Sequence, residues 1–140
     1  MVYALDTNII IHLLRNTPNV VSHYDSNMIK GIPIIIPTYV DFEIRRGLRY
    51  ANATAKERMY QRLCDSCEIG EMQKDVWIYA ANLYSDLRHR KFTVGDADLL
   101  IAAFCFVNDY ILVTNNTKDF ERFETIQLVD WTSHENIPTI

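Results

Sequence analysis

Short apolar runs and helical patterns alternate along the whole of this 140-residue chain. Val2–Leu5 predicts a first strand, Asn8–Arg15 a helix that Pro18 closes, and Val20–Lys30 a second helix ending at Gly31. Pro33–Ile36 is β-branched and bounded by Pro33 and Pro37, which predicts a buried strand. Tyr39–Tyr50 and Thr54–Cys67 predict two further helices, and Glu68–Glu71 a short strand. Val76, Ala80, Leu83, Tyr84 and Leu87 follow helical spacing on a long helix ending near Lys91. Ala97–Val107 is apolar nearly all round, the mark of a central buried helix. Tyr110–Thr114 predicts a strand, Lys118–Phe123 a turn of helix, and Ile126–Val129 a last strand. Strands alternating with helices pair in parallel, with helices on both faces. The expected fold is α/β: one domain over residues 1–140 with a small parallel sheet.

The polar residues that interrupt this pattern carry the chemistry. Asp6 ends the first strand, with Thr7 and Asn8 directly behind it. Asp, Thr and Asn are all good helix N-caps, so a cap is the simplest role for Asp6. Other acids break the pattern in equivalent places: Glu43 one turn into the helix after the second strand, Asp96 and Asp98 at the head of the buried helix, and Asp119 with Asn116 after the strand Tyr110–Thr114. In a parallel sheet every strand-to-helix turn lies at one rim, where ligands collect. The helix opened by Asp96 runs antiparallel to the strand after it, so its head reaches the same rim. Asp96 and Asp98 point roughly 200° apart on a helix. With Gly95 before them, Asp96 is expected near the N-cap, binding the first-turn amides, and Asp98 beside Asp6.

Carboxylates gathered at one rim repel, and a divalent cation removes the conflict. Oxygen donors without nearby His or Cys favour Mg²⁺, with Mn²⁺ able to substitute. His12, His23, His89 and His134 are scattered, and none pairs with another at ligand spacing. Cys64, Cys67 and Cys105 form an odd, sparse set with no second pair at zinc spacing, so they read as ordinary half-buried thiols. Hydrophobic residues at 49% and charged residues at 23% place the chain among globular proteins. No apolar stretch approaches the ~20 residues that span a bilayer, and no signal-peptide pattern opens the chain. A cytoplasmic protein is expected. The net charge of −4 speaks against a broad duplex-binding face. It leaves room for local basic groups, of which Arg45, Arg46 and Arg49 are the best placed, with a second run at Arg88-His89-Arg90-Lys91.

Four motifs in order, D-T-N at residues 6–8, D-F-E-I-R-R-G at 41–47, D-L-L-I-A-A at 98–103 and V-T-N-N-T-K-D-F at 113–120, resemble the PIN-domain ribonucleases and, among them, the VapC toxins of bacterial toxin–antitoxin pairs. The resemblance runs from Val2 to Trp131 and includes the closing V-D-W. It implies metal-binding carboxylates at Asp6 and Asp98 and a third acid at Glu43. The fourth family position falls on Asn116, a departure from the acid many members carry, and Asp119 stands close enough to contribute. Thr7 and Thr114 would hydrogen-bond a carboxylate or the attacking water, with Asn8 and Asp96 as further supporting positions. The activity implied is Mg²⁺-dependent hydrolysis of RNA phosphodiesters, leaving 5′-phosphate and 3′-hydroxyl ends. The implied partners are a cognate antitoxin protein, the RNA substrate and a second copy in a homodimer, with Arg45, Arg46 and Arg49 gripping RNA or the antitoxin tail. The alternatives are a PIN nuclease of RNA maturation or decay and a non-catalytic acid-pocket module for binding or signalling. A phosphorylation receiver would need an acceptor Asp after the third strand, and a D-x-D phosphatase an acid where Asn8 stands.

Overall fold

The computed structural model describes residues 1–123 and 125–133, so His134 lies outside the described residues. The chain order is β1 (Tyr3–Leu5), α1 (Thr7–Leu14), α2 (Pro18–Ile29), β2 (Ile34–Pro37), α3 (Thr38–Tyr50), α4 (Thr54–Ser66), β3 (Glu68–Gly70), α5 (Lys74–His89), α6 (Asp96–Asn108), β4 (Ile111–Val113), α7 (Thr117–Phe120) and β5 (Leu128–Val129). The pattern located every element, and the differences lie at the ends. Pro18 opens α2 rather than only closing α1, because its missing N–H costs nothing at a first helical position. Strand β2 runs on through Pro37, and the last strand shortens to Leu128–Val129.

The five strands are all parallel, in the order β3-β2-β1-β4-β5. Ile34, Ile35 and Ile36 alternate across the sheet yet are all buried, so both faces of β2 are covered. The chain builds outward from β1 through β2 to β3, then crosses back to β4 on the other side of β1. The direction of winding therefore reverses between β1 and β4. Such a reversal leaves a crevice at the carboxyl ends of the two strands. In register, Leu5 lies opposite Val113, which brings Asp6 and Thr114 side by side at that crevice.

Packing behind the rim is tight. Helix α6 buries Leu99, Ile101, Ala102, Ala103, Phe104 and Cys105, as an all-round apolar helix must. Cys64 and Cys67 are half-buried free thiols, and burial pushes both up from the usual thiol range, so neither is activated. Trp131 is buried after β5, where it meets Tyr3 edge-on and stacks on His23 with ring centres 5.8 Å apart. Among the described residues no helix is long and apolar enough to cross a membrane.

Two features of this packing predict measurable effects. A methyl group at Gly70 would stand 2.6 Å from Phe104 Cζ and 2.7 Å from Ile35 Cγ2. Gly70→Ala is therefore expected to cost about 1–3 kcal/mol in urea unfolding, as overpacking does. Among the described residues His23 Nε2 is buried without a hydrogen-bond partner, and burial holds the imidazole below its ordinary 6.5. The folded state thus favours neutral His23, and the unfolded chain takes up the proton first as pH falls. Wild-type stability should fall between about pH 7 and about pH 5 more steeply than that of His23→Phe, which keeps the ring against Trp131. Parallel pH curves in thermal melts would show that His23 does not titrate against the fold.

Candidate active site

Asp6 leaves the end of β1 in extended backbone and serves as the N-cap of α1. Its Oδ1 accepts from the Thr7 amide at 2.8 Å, so the cap role is real. Its Oδ2 accepts from Thr114 Oγ1 at 2.8 Å and from Asn8 Nδ2 at 3.1 Å. The cap and the site are one arrangement: three donors fix a carboxylate that is only 6% exposed. They do not fully offset its burial, which raises Asp6 above the usual carboxylate range with a further push from the charge of Asp119.

Thr114 is fully buried and orders the second side of the crevice. While donating to Asp6, its hydroxyl oxygen accepts from the Asn116 amide at 3.1 Å and faces Asn8 Nδ2 at 3.3 Å. The Asn115 amide donates to Asn8 Oδ1 at 3.0 Å, and its side-chain Nδ2 lies 3.2 Å from His12 Nε2. His12 Nδ1 in turn meets Thr17 Oγ1 at 2.9 Å. A side-chain chain therefore runs from Thr17 through His12, Asn115 and Asn8 to Asp6. Asn115 lies within the motif at residues 113–120, but no local pattern marks its tie to His12, since that contact joins segments about a hundred residues apart in the chain.

The other acids come in from the helices. Glu43, on the second turn of α3, accepts at Oε1 from Thr7 Oγ1 at 2.9 Å, while its Oε2 faces Arg46 at 3.8 Å. Asp98 lies in the first turn of α6, half-buried, and its carboxyl is raised first by burial and then by the charges of Asp6, Asp119 and Glu43, with Arg122 acting the other way. Asp6, Thr7, Asn8, Glu43, Asp98 and Asn116 line one cavity of about 240 Å³. Asp119 is exposed outside this lining, close enough for its charge to reach Asp6 and Asp98.

Asp96 behaves differently from expectation. Gly95 is the N-cap of α6 and has no side chain, so no side-chain cap bond forms there. Asp96 is the first helical residue, exposed and outside the cavity, because a carboxylate already inside the helix cannot fold back as an N-cap does. Arg45, Arg46 and Arg49 each face an acid, at 2.9 Å to Asp41, 3.8 Å to Glu43 and 3.6 Å to Glu57. They line a groove of about 560 Å³ between α3 and α4, where Phe42 lies under Arg46 and Tyr60 under Arg45. Among the described residues no three carboxylate, imidazole or thiolate groups already stand at metal-binding separation. Glu43 is held aside by Thr7 and Arg46.

The sequence profile of the PIN domain matches residues 3–125. Ribonuclease VapC2 of Rickettsia felis is 29% identical over 136 residues, covering 94% of this chain and 98% of the relative. Ribonuclease VapC1 of Haemophilus influenzae is 26% identical over 134 residues, covering 94% and 99%. In a crystal structure of VapBC2 from Rickettsia felis bound to a promoter DNA fragment, one chain superposes with a TM-score of 0.83 at 27% identity, covering 94% of this chain and 99% of that one.

The raised carboxyl of Asp98 sets the sign of a pH effect. A folded state that holds the proton more tightly than the unfolded chain loses stability as pH rises from about 3.8 through the folded value. In metal-free buffer Asp98→Asn should escape this loss, so its stability relative to wild type should grow between about pH 4 and about pH 7. A constant difference across that range in urea unfolding would show that Asp98 carries no such repulsion.

Proposed function

The chain belongs to the PIN domain family, and from that premise we propose that it is a metal-dependent endoribonuclease of the VapC type, the toxin of a toxin–antitoxin pair held in check by a cognate antitoxin. The observation that carries this reading is the convergence of Asp6, Glu43, Asp98 and Asn116, from four distant parts of the chain, on one cavity. The names of the relatives supply the substrate class.

The donor set fits a hard divalent cation. It offers carboxylate and amide oxygens, and the nearest imidazole, His12, is engaged by Asn115 and Thr17. Asp6 and Asp98 are carboxyls that burial and neighbouring charge push toward protonation, and a cation between them reverses that push. Mg²⁺ is the natural occupant, with Mn²⁺ a substitute. When bound, such an ion activates water and offsets charge growing on phosphoryl oxygens.

The chain's own residues do the positioning. Asp6, which lines the cavity, is pinned by Thr7, Asn8 and Thr114, and three of the roughly four acceptor positions of its carboxylate are used. Glu43 accepts from the Thr7 hydroxyl and lines the same cavity as Asp98. Asn116, whose backbone amide is taken by Thr114, lines the cavity and would offer its side-chain amide to a phosphate oxygen. Asp119 adds negative charge that strengthens the hold on a cation. The groove lined by Arg45, Arg46 and Arg49 is the surface for RNA or an antitoxin segment. The protein would work in the cytoplasm as a homodimer.

The test is cleavage of total cellular RNA with the new ends mapped, alongside urea unfolding. Wild type should cut RNA with Mg²⁺ and leave 5′-phosphates, and excess EDTA should stop it. Asp98→Asn should lose about two orders of magnitude in rate or more while folding normally. Asp96→Ala should keep most activity and change stability by no more than about 0.5 kcal/mol, as an exposed residue without a cap bond should. Cleavage that survives Asp98→Asn, or a stable but inactive Asp96→Ala, would contradict this assignment.

A further inference from the structure

The acid cavity is too small to hold more than the bond being cut. At about 240 Å³ it falls below the ~300–1,000 Å³ of pockets that enclose a small organic ligand, so the nucleotides on either side of the scissile phosphate must lie on neighbouring surface. On the Glu43 side that surface is the groove between α3 and α4, whose Arg45, Arg46 and Arg49 are each already matched by a carboxylate. On the Asp98 side a second cleft opens, about 430 Å³ in volume, between the outer end of α5 and the segment after α7. Arg90 and Arg122 stand in it together with Asp86, the carboxylate that Arg90 faces, and Tyr79 and Leu83 form its apolar wall.

Arg122 is held differently from the arginines of α3, whereas Arg90, like them, faces a carboxylate. Arg122 donates to the Thr93 carbonyl, which ties it to the loop leading into α6, and no carboxylate among the described residues lies within ion-pair distance of it. It is near enough to Asp98 for its charge to be felt there. Arg90 reaches Asp86 at 3.2 Å and lies over the Phe92 ring, with its side chain about half exposed. Tyr79 stacks on Phe106 with ring centres 4.4 Å apart, a rigid wall for a ribose or base. A cation held by a carbonyl has its charge to spare, and a guanidinium presents paired donors to phosphate oxygens.

We propose that the cleft of Arg90, Arg122 and Tyr79 is a nucleotide subsite, which takes the RNA phosphate next to the scissile one on the Asp98 side of the acid cavity. This rests on the nuclease reading above and extends it. The strand then crosses the acids with a cationic contact on each side, and Arg122 holds it against the head of α6 while the neighbouring ribose lies along Tyr79.

The experiment is fluorescence anisotropy of a labelled, mixed-sequence single-stranded RNA in EDTA, across a salt series, with thermal melts of every variant. Each phosphate contact on a single strand contributes about 0.7 to the slope of log Kd against log salt. Arg122→Gln and Arg90→Gln should each weaken binding several-fold and lower the slope by about that amount, and Arg122→Lys should regain the slope. Lys30→Gln, at the far end of α2, should leave it unchanged. Arg90→Gln keeps the test decisive if Arg122→Gln melts early, since Arg90 takes no part in the Thr93 bond. The subsite is overturned if wild type binds and cuts RNA while both Gln variants keep its slope, or if Lys30→Gln lowers the slope equally. It is also overturned if the Gln variants keep RNA binding but lose a labelled polyglutamate peptide, which would make the cleft a protein site. Wild type that neither binds nor cuts RNA would instead remove the nuclease reading, and the subsite with it.

Discussion

A carboxylate at the end of a buried strand has to be met by donors, and the way Asp6 is met organises the rest of this protein. Thr114 reaches it across the gap between β1 and β4, where the winding of the sheet reverses. That single bond joins residues 108 positions apart and sets the two loops of the crevice at a fixed separation. Thr114 also takes the Asn116 amide, and Asn8 takes the Asn115 amide, so the turn after β4 is shaped by the same groups that hold Asp6. Thr7, whose amide donates to the capping carboxylate of Asp6, gives its hydroxyl to Glu43 and so carries the order onto α3. Only Asp98 arrives independently, on the rigid head of α6, whose buried side chains anchor it in the core.

This arrangement keeps the acids close at an electrostatic cost. Burial raises Asp6 and Asp98, the charge of Asp119 adds to both, and the charges of Asp6 and Glu43 add at Asp98. Such a cost makes sense where a cation is to be held: the stability given up in the empty fold returns as affinity when the charge is matched. The flanking cations differ in kind. Those on α3 face acids, whereas Arg122 is tied to a carbonyl, and its charge is felt at Asp98.

Much of this was legible in the sequence because it follows from local period and topology. The β-branched run at Ile34–Ile36 and the all-round apolar stretch behind Asp98 have few structural alternatives, and parallel winding then sends Asp6, Glu43, Asp98 and Asn116 to one rim. Thr7 and Thr114 could be named as carboxylate donors because each stands next to a strand end. The cap of α6 was misjudged by one residue: Gly95 rather than Asp96 takes the cap position, since extended backbone there suits Gly without any side-chain bond. His12 and Arg122 carried no signal, and Asn115 stood inside the V-T-N-N-T-K-D-F motif with no role of its own. Their roles depend on contacts between remote segments, and a lone His in an apolar helix or an Arg in a charged turn looks the same whether it reaches a site or not.

The proposed metal site depends on rim acids poised against one another for a divalent cation. Its most direct measurement is the titration of the Asp6 and Asp98 carboxyl carbons by NMR, in metal-free buffer and then in saturating Mg²⁺. Both carboxyls should titrate above the usual 3.8 without metal and drop below it when Mg²⁺ is added. Curves that do not move on adding Mg²⁺ would contradict such a site.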